Sequence, residues 1–373
     1  MKILLATGIY PPDIGGPATY VLHLAEELTK RGEEVTVVTY GPSLHLGLTV
    51  KNAWKVIHVS KSGGPFLRWR RYAQALKEHG ADADVIECFS SVSCGMPLRM
   101  AKLTKPKKIL RLGGDFTWER YTDVGRRRTL RGFIAKHPRL RAPMERLLKI
   151  FDHVVFSTRF QQELYELSYD SLPAHSVIEN ALPQVVEGDV MKLVHAKHDP
   201  LRLLYFGRFV KFKNLENLLH AVAGVPLATL TLVGEGPVGA KLSALARSLQ
   251  LQGRASIVPP VHGEQVQQVF AEHDLLILPS LTEISPNAAL EARAASLPVL
   301  LTDENGLSED LRFGMIIRPL LTVVDITKAI LEVDQKYEEL AKEAAGPFTK
   351  ERGWGEVAGE HEELFQTLVR IDG

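Results

Sequence analysis

Residues 2–39 read KILLATGIYPPDIGGPATYVLHLAEELTKRGEEVTVVT, and this stretch decides the fold. Lys2–Ala6 is a short apolar run, which predicts a buried strand. Gly15-Gly16-Pro17 then interrupts the chain. Ala18–Arg31 follows, with Val21, Leu24, Ala25 and Leu28 spaced as the apolar face of a helix. Gly32 stands where a glycine commonly ends a helix, and Val35–Thr39 supplies a second strand. Strand, helix and strand in so short a span form a βαβ unit, whose crossover makes the two strands parallel.

Working outward, the same alternation continues. Asp84–Glu87, Lys108–Leu112 and Val154–Ser157 read as further strands. Pro183–Pro200 has no periodicity and carries Pro, Gly and charges, so it reads as a linker. A second series then begins. Arg202–Phe206 is a strand and Leu215–Val222 a helix with Asn214 as its cap. Leu230–Val233 is a strand, closed by Gly234-Glu235-Gly236-Pro237 and followed by a helix to Leu249. Ala255–Val258, Leu275–Leu278 and Val299–Leu301 are later strands, and Trp354–Arg370 is an amphipathic helix. The fold class is α/β, with two doubly wound parallel-sheet domains and ligand sites expected beyond the carboxyl ends of their strands.

The chain has 373 residues, 45% hydrophobic and 24% charged, the composition of a soluble protein of two domains. Two cysteines, Cys88 and Cys94, are too few for a disulfide framework and suggest a reducing compartment, hence the cytoplasm. No signal peptide or membrane-spanning run is expected. The net charge of +1 hides an asymmetry: residues 51–150 hold 23 Lys and Arg against 8 Asp and Glu, and the rest 22 against 36. The densest part is 125–149. Such a stretch suits an acidic partner or is a solvated helical face. It lacks interleaved aromatics, which disfavours nucleic acid. An anionic membrane surface or a phosphorylated acceptor fits better.

Three constellations carry chemistry. The strongest is Pro279-Ser-Leu-Thr-Glu283-Ile-Ser285-Pro-Asn287-Ala288-Ala-Leu-Glu291. Glu283 follows a strand, and Glu291 lies about one turn into the next helix, with Pro286 suited to the first helical position. The amides of Asn287 and Ala288 would then face a phosphate. The two carboxylates could hold the hydroxyls of a sugar ring and a ribose, or be a helix-start acid and a surface acid. The second constellation is Gly207-Arg208-Phe-Val-Lys-Phe-Lys213, whose two cations could neutralise a diphosphate leaving group or be ordinary surface charges. The third is Tyr10-Pro-Pro-Asp-Ile-Gly15-Gly16, where paired glycines allow a ligand to approach the backbone or simply make a turn. It is not the Gly-x-Gly-x-x-Gly dinucleotide fingerprint, so nicotinamide and flavin cofactors are disfavoured.

In order and spacing these motifs resemble the retaining glycosyltransferases of the GT-B fold, glycosyltransferase family four. The resemblance rests on the Pro-Pro…Gly-Gly loop, on Gly207-Arg208 with Lys213, on Val233–Pro237, and on Pro279 through Val299. It implies two Rossmann-like domains facing a cleft: 1–185 on the acceptor side, 200–350 binding the donor, and 351–373 a helix crossing back to the first. It implies transfer of a hexose from a UDP- or GDP-sugar to a glycan, lipid-linked or small-molecule acceptor. Arg208 and Lys213 would bind the diphosphate, Glu283 the transferred sugar and Glu291 the ribose. Gly15, Gly16, Gly234, Val261, Ser285, Asn287 and Ala288 would complete the donor site. No metal or other cofactor is expected, because Arg and Lys take its place. A cytoplasmic protein, peripheral on the membrane through 125–149, is the corresponding location.

The chain departs from the family pattern in three places. Gly114-Asp115 stands where a His is usual, so Asp115 either takes over a sugar or acceptor contact or caps the following turn. The Gly-Gly-x-x-Glu loop is degenerate at Glu304–Glu309, and Ser296 replaces a common Gly. A GT-B sugar-nucleotide epimerase and a non-catalytic sugar-nucleotide-binding protein remain as alternatives. An epimerase would need acid and base groups that no motif supplies. A glycan phosphorylase would need pyridoxal phosphate, and no motif for it is present.

Overall fold

The computed structural model describes residues 1–13, 15–41, 47–51, 53–183, 194–348 and 352–370. The chain divides into two compact units. Unit 1 is Met1–Thr117, Ile134–Ala181 and Arg352–Gly373; unit 2 is Trp118–Phe133 with Leu182–Glu351. Most of the linker expected at 183–200, and the boundary at 185, lie outside the described residues.

Unit 1 is built on eight strands: β1 (Lys2–Ala6), β2 (Glu34–Gly41), β3 (Gly47–Lys51), β4 (Trp54–Ser60), β5 (Val85–Cys88), β6 (Lys107–Leu112), β7 (His153–Phe156) and β8 (Ala174–Val177). Their order is β3-β4-β2-β1-β5-β6-β7-β8, parallel except for the β3–β4 pair. Its helices are α1 (Gly16–Lys30), α2 (Pro65–Gly80) and α3 (Gly95–Ala101), with α4 (Phe116–Asp123) and α5 (Leu130–Lys136) shared with unit 2. After them come α6 (Pro138–Leu148) and α7 (Arg159–Glu166).

Alternate residues of a strand face opposite sides of its sheet. Ile3 and Leu5 accordingly join Val21, Leu24 and Leu28 of α1 in one buried cluster. Leu4 and Ile86 pack instead against Gly80 of α2. A parallel sheet covered on both sides explains why KILLA is apolar without alternation. Helix α1 ends in a Schellman motif: the Gly32 amide donates to Thr29 O at 3.0 Å and the Glu33 amide to Leu28 O at 3.1 Å.

Unit 2 holds β9 (Leu201–Phe206), β10 (Ala228–Val233), β11 (Ala255–Val258), β12 (Leu275–Leu278), β13 (Val299–Thr302) and β14 (Ile316–Arg318), all parallel. Their order is β11-β10-β9-β12-β13-β14. Helices α8 (Leu215–Ala223), α9 (Gly239–Ser248), α10 (Glu264–Ala271), α11 (Asn287–Ala294), α12 (Glu309–Arg312), α13 (Val323–Gln335) and α14 (Tyr337–Ala345) connect them. The last helix, α15 (Trp354–Arg370), belongs to unit 1 and packs on α1.

The α1–α15 seam buries polar groups. The Tyr20 hydroxyl and His361 Nε2 are 2.8 Å apart, and His361 Nδ1 lies 3.3 Å from a carboxylate oxygen of Glu87 on β5. Arg111 stacks over the Tyr20 ring at 3.9 Å and donates to Ile178 O and Asn180 Oδ1. His361 and Glu87 are fully buried. Removing His361 leaves the buried Tyr20 hydroxyl without its partner and Glu87 without its nearest polar neighbour on α15. We therefore expect His361→Leu to lower unfolding free energy by about 2 kcal/mol, measured by urea denaturation. A loss within error of zero would show that α15 is held by apolar packing alone.

Candidate active site

In unit 2 the chain moves outward from β9 through β10 to β11, then returns to the other side of β9 with β12. The reversal falls between β9 and β12, and loops leaving neighbouring strands in opposite directions open a crevice beyond their carboxyl ends. The loop after β9 carries Arg208 and Lys213, and the loop after β12 carries Glu283.

Buried Phe209 and Val210 anchor the first loop, and Lys211–Lys213 forms a 3-10 turn. Asn214 precedes α8 in the left-handed region at φ 59°. The expected cap interaction of its side chain is absent: Asn214 donates instead to Leu320 O and Leu321 O, at 3.0 and 3.3 Å. The left-handed backbone turns the side chain away from the first amides of α8. The Leu281 amide donates to Phe212 O at 2.8 Å, tying the second loop to the first.

That tie brings the charged pair together. Lys213 Nζ lies 2.6 Å from Glu283 Oε1, and Ser280 Oγ donates to the same oxygen at 2.6 Å. The Glu283 amide donates to Glu304 O and its carbonyl accepts from the Gly306 amide, each at 2.9 Å. Glu283 is therefore fixed at backbone and side chain and is only 6% exposed. Arg208 is exposed and has no ion-pair partner among the described residues. Its carbonyl accepts from the Tyr205 hydroxyl at 2.9 Å, and burial pushes that phenol well up.

Helix α11 starts at Asn287, with Pro286 at the N-cap rather than inside the first turn. Pro286 keeps an extended ψ of 94°, so the expected position is off by one residue. The first amides of such a helix have no intrahelical acceptor. Glu291, one turn on, is partly buried, and desolvation raises its carboxyl above the ordinary range. Ser285, Asn287, Ala288 and Val261 are partly exposed at this same strand-end edge of unit 2.

Gly234 sets how closely the β10 loop approaches β9. Its φ is 147°, and a Cβ there would meet the Gly207 carbonyl oxygen at 1.9 Å. The Gly207 amide bonds Val233 O, and the Phe209 amide bonds Glu235 O at 2.7 Å, so the two loops interlock. Gly234 therefore serves this packing directly.

The remaining candidates lie in unit 1. Gly15, at φ 150°, is the N-cap of α1, and Gly16 is its first residue. Asp115 is fully buried: one carboxylate oxygen accepts from the Tyr165 hydroxyl at 2.6 Å and the other from Thr117 Oγ1 at 2.5 Å. Both oxygens are thus engaged at the start of α4.

The basic stretch is divided. Arg127 bonds Glu216 and Asn217, Arg128 bonds the Tyr121 hydroxyl, and Arg131 lies 3.6 Å from Glu304, all within unit 2. The Leu130 amide donates to Thr282 Oγ1 at 2.9 Å, just before Glu283. Sequence reasoning passed over Ser280 and Thr282, although Ser280 stands three residues before Glu283 in the quoted motif.

Comparison with known proteins agrees with this geometry. A family model described as Glycosyltransferase Family 4 matches residues 14–182, and one described as Glycosyl transferases group 1 matches residues 200–335. An uncharacterized glycosyltransferase of Methanocaldococcus jannaschii is 25% identical over 333 residues, covering 83% of this chain and 82% of that protein. Among solved structures, a sucrose-phosphate synthase from Thermosynechococcus elongatus superposes with a TM-score of 0.81 at 17% identity, over 99% of both chains. The Anabaena protein Alr3699/HepE, solved in complex with UDP-glucose, gives a TM-score of 0.72 at 14% identity, over 98% of this chain and 100% of that one. With two doubly wound sheets, the strand-order reversal at β9 and β12, and both family models matched, the chain belongs to the group 1 glycosyltransferases of family four and is a glycosyltransferase of GT-B fold.

Proposed function

We propose that this enzyme transfers a hexose from a UDP- or GDP-sugar to a glycan, lipid-linked or small-molecule acceptor with retention of anomeric configuration. The observation that carries the reading is the Lys213–Glu283 pair at the β9–β12 switch point, with the unpaired Arg208 and the start of α11 on the same edge of unit 2. The Anabaena HepE structures with UDP and UDP-glucose support a nucleoside diphosphate sugar as donor.

In this reading the donor diphosphate arrives as a dianion and competes with Glu283 for Lys213. Arg208 and Lys213 take the phosphate charge, and the Glu283 carboxylate becomes free to accept from the sugar hydroxyls. The bond between the anomeric carbon and the phosphate oxygen breaks, and the nucleoside diphosphate leaves with the electron pair. The acceptor oxygen attacks from the same face and gives its proton to the departing phosphate. Glu291 accepts the ribose hydroxyls. Asp115, held by Tyr165 and Thr117, shapes the α4 turn on the acceptor-holding unit. Two fixed cations perform the charge neutralisation that a divalent metal would otherwise supply, so enzyme treated with a chelator keeps its turnover.

No helix among the described residues is long and apolar enough to cross a membrane. We place the protein in the cytoplasm, with peripheral contact to an anionic membrane through residues 125–149.

Three measurements test this reading. Glu283→Gln and Arg208→Ala each lower nucleoside diphosphate release by about 100-fold or more. Turnover like wild type in either variant would remove the site from unit 2. Donor hydroxyls donate more strongly to Glu291 when it is ionised, and burial makes its carboxyl protonate sooner than an ordinary one as pH falls. Donor affinity therefore weakens as pH falls, at a higher pH than for an ordinary glutamate, and calorimetry with Glu291→Gln shows a flatter profile. An identical profile in that variant would exclude Glu291 from donor binding. Proton NMR of the first-formed product gives the donor's anomeric configuration; the inverted anomer would end the retaining assignment.

A further inference from the structure

A second basic feature lies in unit 1, at the opposite end of its sheet from the strand carboxyl ends. A cavity of about 530 Å³ opens there. Arg99, Lys102, Lys108, Arg146 and Lys149 line it. Its apolar wall is Leu98, Leu103 and Ile150. Lys102 and Leu103 lead into β6, Lys108 is its second residue, and Lys149 and Ile150 precede β7. These positions are the amino ends of parallel strands, so the cavity is separate from any site at their carboxyl ends.

The charge is unbalanced. Arg99, Lys102 and Arg146 are exposed and have no ion-pair partner among the described residues. The Lys108 side chain likewise has none, although its amide bonds Asp152. Lys149 pairs with Glu145 at 2.8 Å. The carboxyl ends of α3 and α6 lie here and favour some positive charge. Two helix ends amount to about one negative charge, fewer than the unpaired cations present. No carboxylate lines the cavity.

We propose that this cavity holds the phosphate of an anionic membrane lipid, with the first carbons of its chains against Leu98, Leu103 and Ile150. This deepens the peripheral-membrane reading and rests on it, but centres the contact on the end of that stretch, at Arg146 and Lys149, with Arg99, Lys102 and Lys108 beside it. Arg127, Arg128 and Arg131, in the stretch that first suggested a membrane, are occupied within unit 2. Around this cavity Arg99, Lys102, Lys108 and Arg146 have no ion-pair partner among the described residues. The apolar wall beside them matches the junction of headgroup and chain, where long cationic side chains reach phosphate while their stems stay on hydrocarbon.

The experiment is co-sedimentation of the full chain with vesicles of phosphatidylcholine, with and without phosphatidylglycerol, at low salt. Wild type sediments only with the anionic vesicles. Each cation near an anionic surface is worth about fivefold in partitioning, so Arg99→Gln/Lys102→Gln/Arg146→Gln weakens binding by about 100-fold. A charge-matched control, Arg70→Gln/Lys77→Gln/Arg126→Gln, weakens it far less, and both variants keep the wild-type thermal midpoint. Equal loss in the control overturns the cavity assignment while leaving membrane contact standing. Failure of wild type to bind anionic vesicles overturns both. Stabilisation of wild type, but not the first variant, by soluble glycerol 3-phosphate without vesicle binding would assign the cavity to a soluble anion and overturn the lipid.

Discussion

A parallel strand cannot be followed directly by its parallel neighbour; the chain must cross back over a face of the sheet, and a helix makes that crossing. Every other feature here depends on this constraint. It covers both faces of each sheet, as when Ile3 and Leu5 meet α1 while Leu4 meets α2. It sends every loop that follows a parallel strand out of the same edge. It also forces a choice of side at each crossover. In unit 2 that choice reverses between β11 and β12, so the loops after β9 and β12 become neighbours although about seventy residues separate Lys213 from Glu283.

The free protein answers the resulting concentration of charge by pairing Lys213 with Glu283 and adding Ser280 to the same carboxylate oxygen. A carboxylate only 6% exposed needs such company. Arg208 is different: it is exposed and anchored only through its backbone. The two cations of one motif thus stand in unlike states, one neutralised in advance and one waiting.

The basic region of the sequence shows how a single composition signal can serve several physical ends. Arg127 and Arg131 knit the Trp118–Phe133 segment onto unit 2 by pairing with Glu216 and Glu304. Arg111 is buried and stacks on Tyr20 beside Glu87 and His361. Arg99, Lys102 and Arg146 have no ion-pair partner among the described residues. Chain position does not separate these roles, because each depends on which acidic group the fold delivers.

The sequence by itself determined most of the strands and the parallel sheets, and it singled out Arg208, Lys213 and Glu283 at the ends of β9 and β12. Buried parallel strands are continuous apolar runs, and the helices between them keep a clear apolar face, so KILLA and the run after it are legible without a partner. β14 has only three residues, and the half-polar Ala174–Val177 and Trp54–Ser60 runs do not announce β8 and β4. Arg208, Lys213 and Glu283 were legible because each lies within a few positions of a strand end. Tertiary structure alone decided the contacts between distant segments. It paired Lys213 with Glu283, turned the Asn214 side chain toward Leu320, enclosed Asp115 against Tyr165, and set His361 beside Glu87 across 274 positions. The reason is physical: periodicity and capping are local, whereas the partner of a buried charge is whatever group the crossovers carry to it.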